Sequence, residues 1–246
     1  MILTAPAPRA ALTGLTRLTG PIALGLVLWA STVAQAQPVP NVHFRHLTVD
    51  DGLSYEGVHS VLQDSRGLLW IGTADGLNRY DGYDITVFNR DPRNPNALAN
   101  SWIWSIAEDS RGNIWVGTDG GGLHRFLPEQ NAFERFVTDP SDPTSLSHDT
   151  IRVLFEDHQG VLWIGTDGGL NSFDDATGTF TRFAHNPSNP GSLSDDAIRA
   201  IEEDSNGTLW IGTVRGGINL FDRDTGTFTH LRHDLNRTGF VGGLIP

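Results

Sequence analysis

The chain has 246 residues, 29 acidic against 17 basic side chains, a formal net charge of −12 and no cysteine. Every basic side chain is an arginine, and no basic tract of the kind that nucleic acid or an anionic membrane requires is present, so no nucleic-acid partner is expected. A disulfide framework is excluded too, and the length suffices to bury a large core by packing alone.

Residues 1–36 differ in kind from the rest. They carry Arg9 and Arg17, no acid, an apolar run from Pro21 to Ala34, and then Ala34-Gln35-Ala36. A basic start, an apolar centre and a small-x-small site are the order of a secretory signal peptide. The apolar run is about 14 residues, short of the ~20 that span a bilayer. Export with cleavage near Ala36 is expected. The product, residues 37–246, keeps 15 arginines against 29 acids, a net charge of −14, and reads as periplasmic.

One phrase then recurs four times. It reads Gly67-Leu68-Leu69-Trp70-Ile71-Gly72-Thr73 and returns around Trp115, Trp163 and Trp210, at spacings of 45, 48 and 47 residues. A period of this size signals a repeat array. Aligned on the tryptophans, each unit holds four short β-branched or aromatic runs bounded by Gly, Asp or Pro. The units are expected at 58–88, 103–136, 151–183 and 198–231. The fold class is therefore all-β, a propeller of four-stranded antiparallel blades. Asp-x-x-Gly at 64–67, 109–112, 157–160 and 204–207 predicts a tight turn between the first and second strands, and Asp75-Gly76, Asp119-Gly120 and Asp167-Gly168 a turn between the second and third. Proline pairs at 92 and 95, 140 and 143, and 187 and 190 suit extended links between blades.

The Asp-x-x-Gly-x-Leu/Ile-Trp-Ile/Val-Gly-Thr core, the following Gly-Leu-Asn-x-Phe/Tyr-Asp and the Asn-Pro-x-x-Ser-Leu link resemble the two-component regulator propeller repeat over about residues 44–233. The resemblance implies the periplasmic sensor region of bacterial hybrid histidine kinases. It implies seven-bladed propellers, often in tandem, followed by an immunoglobulin-like domain, a membrane span and a kinase. None of those later parts is read in this sequence, so this chain is expected to be no enzyme and not to signal alone. The ligand the resemblance implies is an oligosaccharide or another small ligand. A secreted propeller enzyme such as a polysaccharide lyase, or an adhesion module, are the other readings.

Trp70, Trp115, Trp163 and Trp210 are expected in the core, because recurrence at one strand position is what packing between blades requires. Positions where the units disagree are the candidates for binding. One inner-strand site reads His59, Trp104, Arg152 and Arg199, beside uniformly apolar Val58, Ile103, Ile151 and Ile198. Strict alternation sends the two sets to opposite faces. Arginine offers bidentate bonds to an anion, and tryptophan a flat face for a sugar; Trp102 lies close by. Two readings stay open for this set: ligand contact, or channel filling with pairing to Glu108, Glu156 or Glu203. No cofactor is expected. His43 and His46 make a poor metal pair, and Asp119-Gly120-Gly121-Gly122 lacks the Lys-Ser/Thr of a phosphate loop, so neither a metal nor a phosphate site is assigned.

The ends suggest an incomplete ring. Residues 44–47 match a fourth strand without a blade of its own, and 238–246 leave the repeat pattern. A truncated or frameshifted product is expected; a true four-bladed ring, or blades completed by a partner chain, are the alternatives. Open end faces imply self-association, as a homo-dimer or with the missing blades of a longer chain.

Overall fold

The computed structural model describes residues 46–231, so residues 1–45, with the expected leader and His43, and residues 232–246 lie outside it. Among the described residues, sixteen strands form four separate four-stranded antiparallel sheets, each a consecutive stretch of chain. The first blade holds β1 (Val58–Gln63), β2 (Leu69–Thr73), β3 (Gly76–Tyr80) and β4 (Ile85–Phe88). The second holds β5 (Ile103–Glu108), β6 (Ile114–Thr118), β7 (Leu123–Leu127) and β8 (Ala132–Phe136). The third holds β9 (Ile151–Glu156), β10 (Leu162–Thr166), β11 (Gly169–Asp174) and β12 (Thr179–Phe183). The fourth holds β13 (Ile198–Glu203), β14 (Leu209–Thr213), β15 (Ile218–Asp222) and β16 (Thr227–Leu231). The blades are β-propeller blades, and β1, β5, β9 and β13 adjoin one another in that order. The fourth-strand match at 44–47 is not seen where it can be checked: His46 and Leu47 belong to no strand.

The Asp-x-x-Gly turn does more than reverse the chain. Asp157 Oδ1 accepts the amides of Gln159 and Val161, each at 2.9 Å, and Oδ2 accepts the Trp163 indole N–H at 2.7 Å. Asp64, Asp109 and Asp204 grip Trp70, Trp115 and Trp210 in the same way, at 3.0, 2.9 and 3.0 Å. The turn glycines 67, 112, 160 and 207 have φ of 88, 81, 78 and 83°, the left-handed region where a Cβ is penalised. Each turn thus fixes its own tryptophan, and in the first three blades the tryptophan then packs onto the next blade.

Three hydrophobic cores result, one per joint. Trp70 lies with Leu98, Ile103, Ile106 and Phe126; Trp115 with Leu146, Ile151, Leu154 and Phe173; Trp163 with Leu193, Ile198, Ile201 and Phe221. Trp70 and Trp115 are 0% exposed and Trp163 3%, whereas Trp210 is only partly buried and belongs to none of these cores. The leucine closing each link plugs the joint it spans, and the link hangs on the next outer strand through Phe133 N–H to Asn96 O, Phe180 N–H to Thr144 O and Phe228 N–H to Gly191 O. The proline-bearing links are built of paired Asx turns, for example Asp139 Oδ1 accepting the Ser141 amide and Asp142 Oδ1 the Thr144 amide, both at 2.8 Å.

A polar residue on the third strand pins the entry to each blade. Asn78, Asn171 and Asn219 accept the amides of Ser54, Ser147 and Ser194, each at 2.9 Å. In the second blade the residue is His124, whose Nε2 accepts the Ala99 amide at 3.1 Å. His124 is fully buried, and its Nδ1 has no acceptor in hydrogen-bonding geometry. Burial, and then the Arg135 charge, push its pKa from 6.5 down to about 3, with the Gly122 carbonyl offsetting only part.

Candidate functional site

Each inner strand is irregular at its second residue. In the first blade Val58 pairs with Thr73 and Ser60 with Gly72, so His59 has no partner of its own across the ladder. The same slip leaves out Trp104, Arg152 and Arg199. These are β-bulges, which kink the strand and re-aim one side chain. The variable positions are thus presented by a repeated bulge and not by simple alternation, which corrects the regular pleat expected from the sequence.

The bulged side chains meet along the four inner strands. His59 stacks on Trp104 with ring centroids 4.9 Å apart and on Trp102 at 5.3 Å; the two indoles lie 5.4 Å apart. His59 Nδ1 also lies 3.0 Å from the Ile103 carbonyl. The Arg152 guanidinium sits 4.7 Å above the Trp104 ring, a cation–π contact. Arg152 then grips Asp167 with two bonds, Nε to Oδ1 at 3.0 Å and Nη2 to Oδ2 at 2.7 Å. Arg199 of the fourth blade reaches the same carboxylate, Nη1 to Oδ1 at 2.7 Å. All five candidates, His59, Trp102, Trp104, Arg152 and Arg199, therefore fall in one continuous row.

The partners of the arginines are not those expected. Arg152 and Arg199 pair with Asp167 of the second-to-third turn, with Asp119 further off at 3.9 Å from Arg152. Glu108, Glu156 and Glu203 instead hold the turn of the preceding blade: the amides of Ser65, Ser110 and His158 donate to them at 2.8, 2.6 and 2.8 Å. Residue spacing explains this. Four residues separate Arg152 from Glu156, about 13 Å along a strand, whereas the ladder sets Arg152 beside the end of β10 and its turn. Asp167 was the residue that sequence reasoning missed.

Electrostatically the row is an aromatic shelf joined to an Arg-Asp-Arg cluster. The Arg152 bond first, and Arg199 after it, hold the Asp167 carboxyl below its usual range against the opposing effect of burial. Asp167 in turn raises Arg152 above the usual guanidinium value. Trp102 is 38% exposed, and His59 and Arg199 are exposed as well, so the row is open to solvent. The Trp104 indole N–H is buried without an acceptor, and no protein group bonds Arg152 Nη1 or Arg199 Nη2 among the described residues. Flat faces beside unspent donors can hold a ring bearing hydroxyl or carboxylate groups. Elsewhere, clefts of about 470 and 440 Å³ beside Gly160 and Gly207 occupy equivalent places in successive blades, which marks them as products of the repeat. No group of three or more metal-ligating side chains occurs among the described residues.

Comparison with known proteins supplies the context. The two component regulator propeller family model matches residues 52–75, 97–120, 145–168 and 192–215. The extracellular domain of a hybrid two component system from B. thetaiotaomicron superposes with a TM-score of 0.70 at 28% identity, over 77% of this chain and 26% of that one. The extracellular domain of a one component system from the same organism gives 0.60 at 25% identity, over 71% and 25%. Virginiamycin B lyase from Staphylococcus aureus gives 0.53 at 18% identity, over 73% and 57%, a likeness of fold alone. A segment of 59 residues is 38% identical to "Histidine kinase P4" of Formosa agariphila, covering 24% of this chain and 4% of that protein. The chain thus spans about a quarter of the length of these two extracellular domains. No helix of the described residues is long and apolar enough to cross a membrane.

Proposed function

Since this chain carries four two-component regulator propeller repeats, we propose that it is the ligand-capturing part of a periplasmic two-component sensor. The observation that carries this reading is the bulge row. The joints repeat the same Trp, Ile and Phe contacts, while the single bulged residue of each inner strand runs His59, Trp104, Arg152, Arg199. A position excused from the strand ladder, and occupied by three residue types across four blades, is where a scaffold places recognition.

The ligand class that fits is an oligosaccharide, with a carboxylate-bearing sugar best matched. One ring would stack on Trp102 and Trp104. Arg152 and Arg199, already aligned by Asp167, would donate to hydroxyl or carboxylate oxygens. Export through the leader of residues 1–36 would bring the site to such ligands outside the inner membrane. The kinase that reads the bound state belongs to other parts of such a system.

Neutral and acidic glycan pools, screened by thermal shift and then calorimetry, test the proposal. Binding should be lost in Arg152→Ala and Trp104→Ala and weakened at least tenfold in Arg199→Ala, with unchanged far-UV spectra. Unaltered affinity in all three variants would remove the row from ligand binding. Release of cleaved or unsaturated products during the incubation would favour the lyase reading instead.

A further inference from the structure

The residue after the threonine that ends each second strand is Ala74, Asp119, Asp167 and Val214 in turn. Only the two middle blades therefore set a carboxylate at this place beside the bulge row. Their carboxylates are in different states. Asp167 is spent, taking two bonds from Arg152 and one from Arg199, and its side chain is 26% exposed. The Asp119 side chain is 42% exposed, and its nearest cation is Arg152 Nη2, 3.9 Å away and turned onto Asp167. Among the described residues no donor bonds the Asp119 carboxylate; its hydrogen bonds are made by the main chain.

Those main-chain bonds fix Asp119 against the aromatic shelf. Its amide donates to the Trp102 carbonyl at 3.0 Å. The Asn100 side chain clasps the same two residues, Oδ1 accepting the Trp102 amide at 2.9 Å and Nδ2 donating to the Asp119 carbonyl. The following Gly120 has φ 77°, and a methyl group added to it would meet nothing within 4 Å. At the matching Gly168 of the third blade a methyl would lie 2.9 Å from His148 Cβ. The turn beside Asp119 is thus open where that beside Asp167 is closed.

The row therefore has two unlike ends. Beside Trp102 the free polar group is an acceptor, the Asp119 carboxylate; beside Arg199 the free groups are donors. The charges of Arg152 and Arg199 cancel those of Asp119 and Asp167, and the whole chain carries −12, so nothing draws in a ligand that is acidic at every unit. Resting on the reading of the row as a ligand site, we infer that its ligand is a mixed oligosaccharide: a neutral ring on Trp102 whose hydroxyls donate to Asp119, joined to a single uronate whose carboxylate lies on Arg152 and Arg199. Asp119 sets this choice. A carboxylate takes strong hydrogen bonds from hydroxyls, and it repels a second carboxylate on the ring beside it, so one residue both selects the mixed ligand and rejects the all-uronate one.

Trisaccharides from acid hydrolysates of plant and bacterial glycans, sorted by anion exchange into fractions with no, one or three carboxylates, are the probes. Calorimetry on the full chain should rank the one-carboxylate fraction tightest. Asp119→Asn keeps the shape of an exposed side chain, and Asp119→Ser serves as a second variant. Each should bind the one-carboxylate fraction about threefold more weakly and the three-carboxylate fraction about threefold more tightly, the scale of an exposed charge contact. Opposite signs on two ligands are not what a change in folding produces. A parent that prefers the three-carboxylate fraction would overturn the inference. So would Asp119 variants that move both affinities the same way, or neither, while Arg152→Ala abolishes binding; the row would then remain a ligand site without this selectivity. No binding of any fraction by the parent would overturn both readings.

Discussion

Replacing His124 with asparagine tests how the second blade is held, and the outcome is a slope and not merely a loss. The folded imidazole stays neutral down to about pH 3, while the unfolded chain titrates near 6.5. Between those values the unfolded chain holds a proton that the folded chain does not. Stability is therefore fully present above about pH 6.5 and falls as the pH drops, by about 1.4 kcal/mol per pH unit. From pH 6.5 to 4.5 the loss from this one side chain is about 2–3 kcal/mol. Asparagine does not titrate, and it is what the other three blades use to accept the same amide. At pH 7.5 the variant should lie within about 1–2 kcal/mol of the parent. It loses the perpendicular ring contact with Phe133, with centroids 6.1 Å apart, but it also removes a buried donor that has no acceptor. Urea unfolding at pH 7.5, 6.5, 5.5 and 4.5 gives the two profiles, and the other histidines cancel in the comparison. The profiles should converge or cross as the pH falls. Parallel profiles down to pH 4.5 would refute the reasoning, because they would mean that the folded state takes up the proton as readily as the unfolded one.

Trp163→Ala removes an almost wholly buried indole from the third joint and should cost about 3–5 kcal/mol in chemical unfolding; Trp210→Ala, at an indole only partly buried and outside the three cores, should cost clearly less, and equal losses would contradict that difference. Asp157→Asn turns an amide N–H toward the Trp163 indole N–H and weakens the Arg223 contact, at 2.7 Å in the parent; a loss of about 1–3 kcal/mol is expected, and a melting temperature equal to the parent's would count against the turn as the anchor of the tryptophan. Burial raises the Asp64, Asp109 and Asp157 carboxyls, but the indole and turn bonds outweigh it, while in Asp204 the indole bond leads; all four lie below the usual carboxylate value. Their contribution is complete above about pH 4 and is lost as the pH falls through the lowered folded values, so a stability profile flat from pH 5 to 2 would exclude it.

The blades were legible because every unit repeats its turn chemistry, and four concordant copies outweigh the ambiguity of any one short strand. The tryptophan joints followed from the same recurrence. The constant six-residue interval from Asp64 to Trp70, Asp109 to Trp115, Asp157 to Trp163 and Asp204 to Trp210 is visible in the sequence, but Asp in a tight turn already has a local explanation, so the interval alone does not reveal the indole bond it encodes. The bulge was illegible for a different reason. Register is a property of two strands together, and the pattern along β1 or β9 alone is compatible with a regular pleat. Without the register, the pattern along β9 points Arg152 to Glu156 on its own strand, whereas its partner lies across the ladder at Asp167.

The bulge also separates two kinds of mutational freedom within a single strand. Ile103, Ile151 and Ile198 are fully buried in the three joints, and Val58 is their counterpart in the first blade. Their neighbours His59, Trp104, Arg152 and Arg199 are excused from the ladder and only partly buried or exposed. A lineage can therefore change what it recognises one blade at a time while leaving its scaffold untouched. The same division offers an engineer four addressable codons: a library diversified at positions 59, 104, 152 and 199 would explore new specificities without reopening the problem of folding.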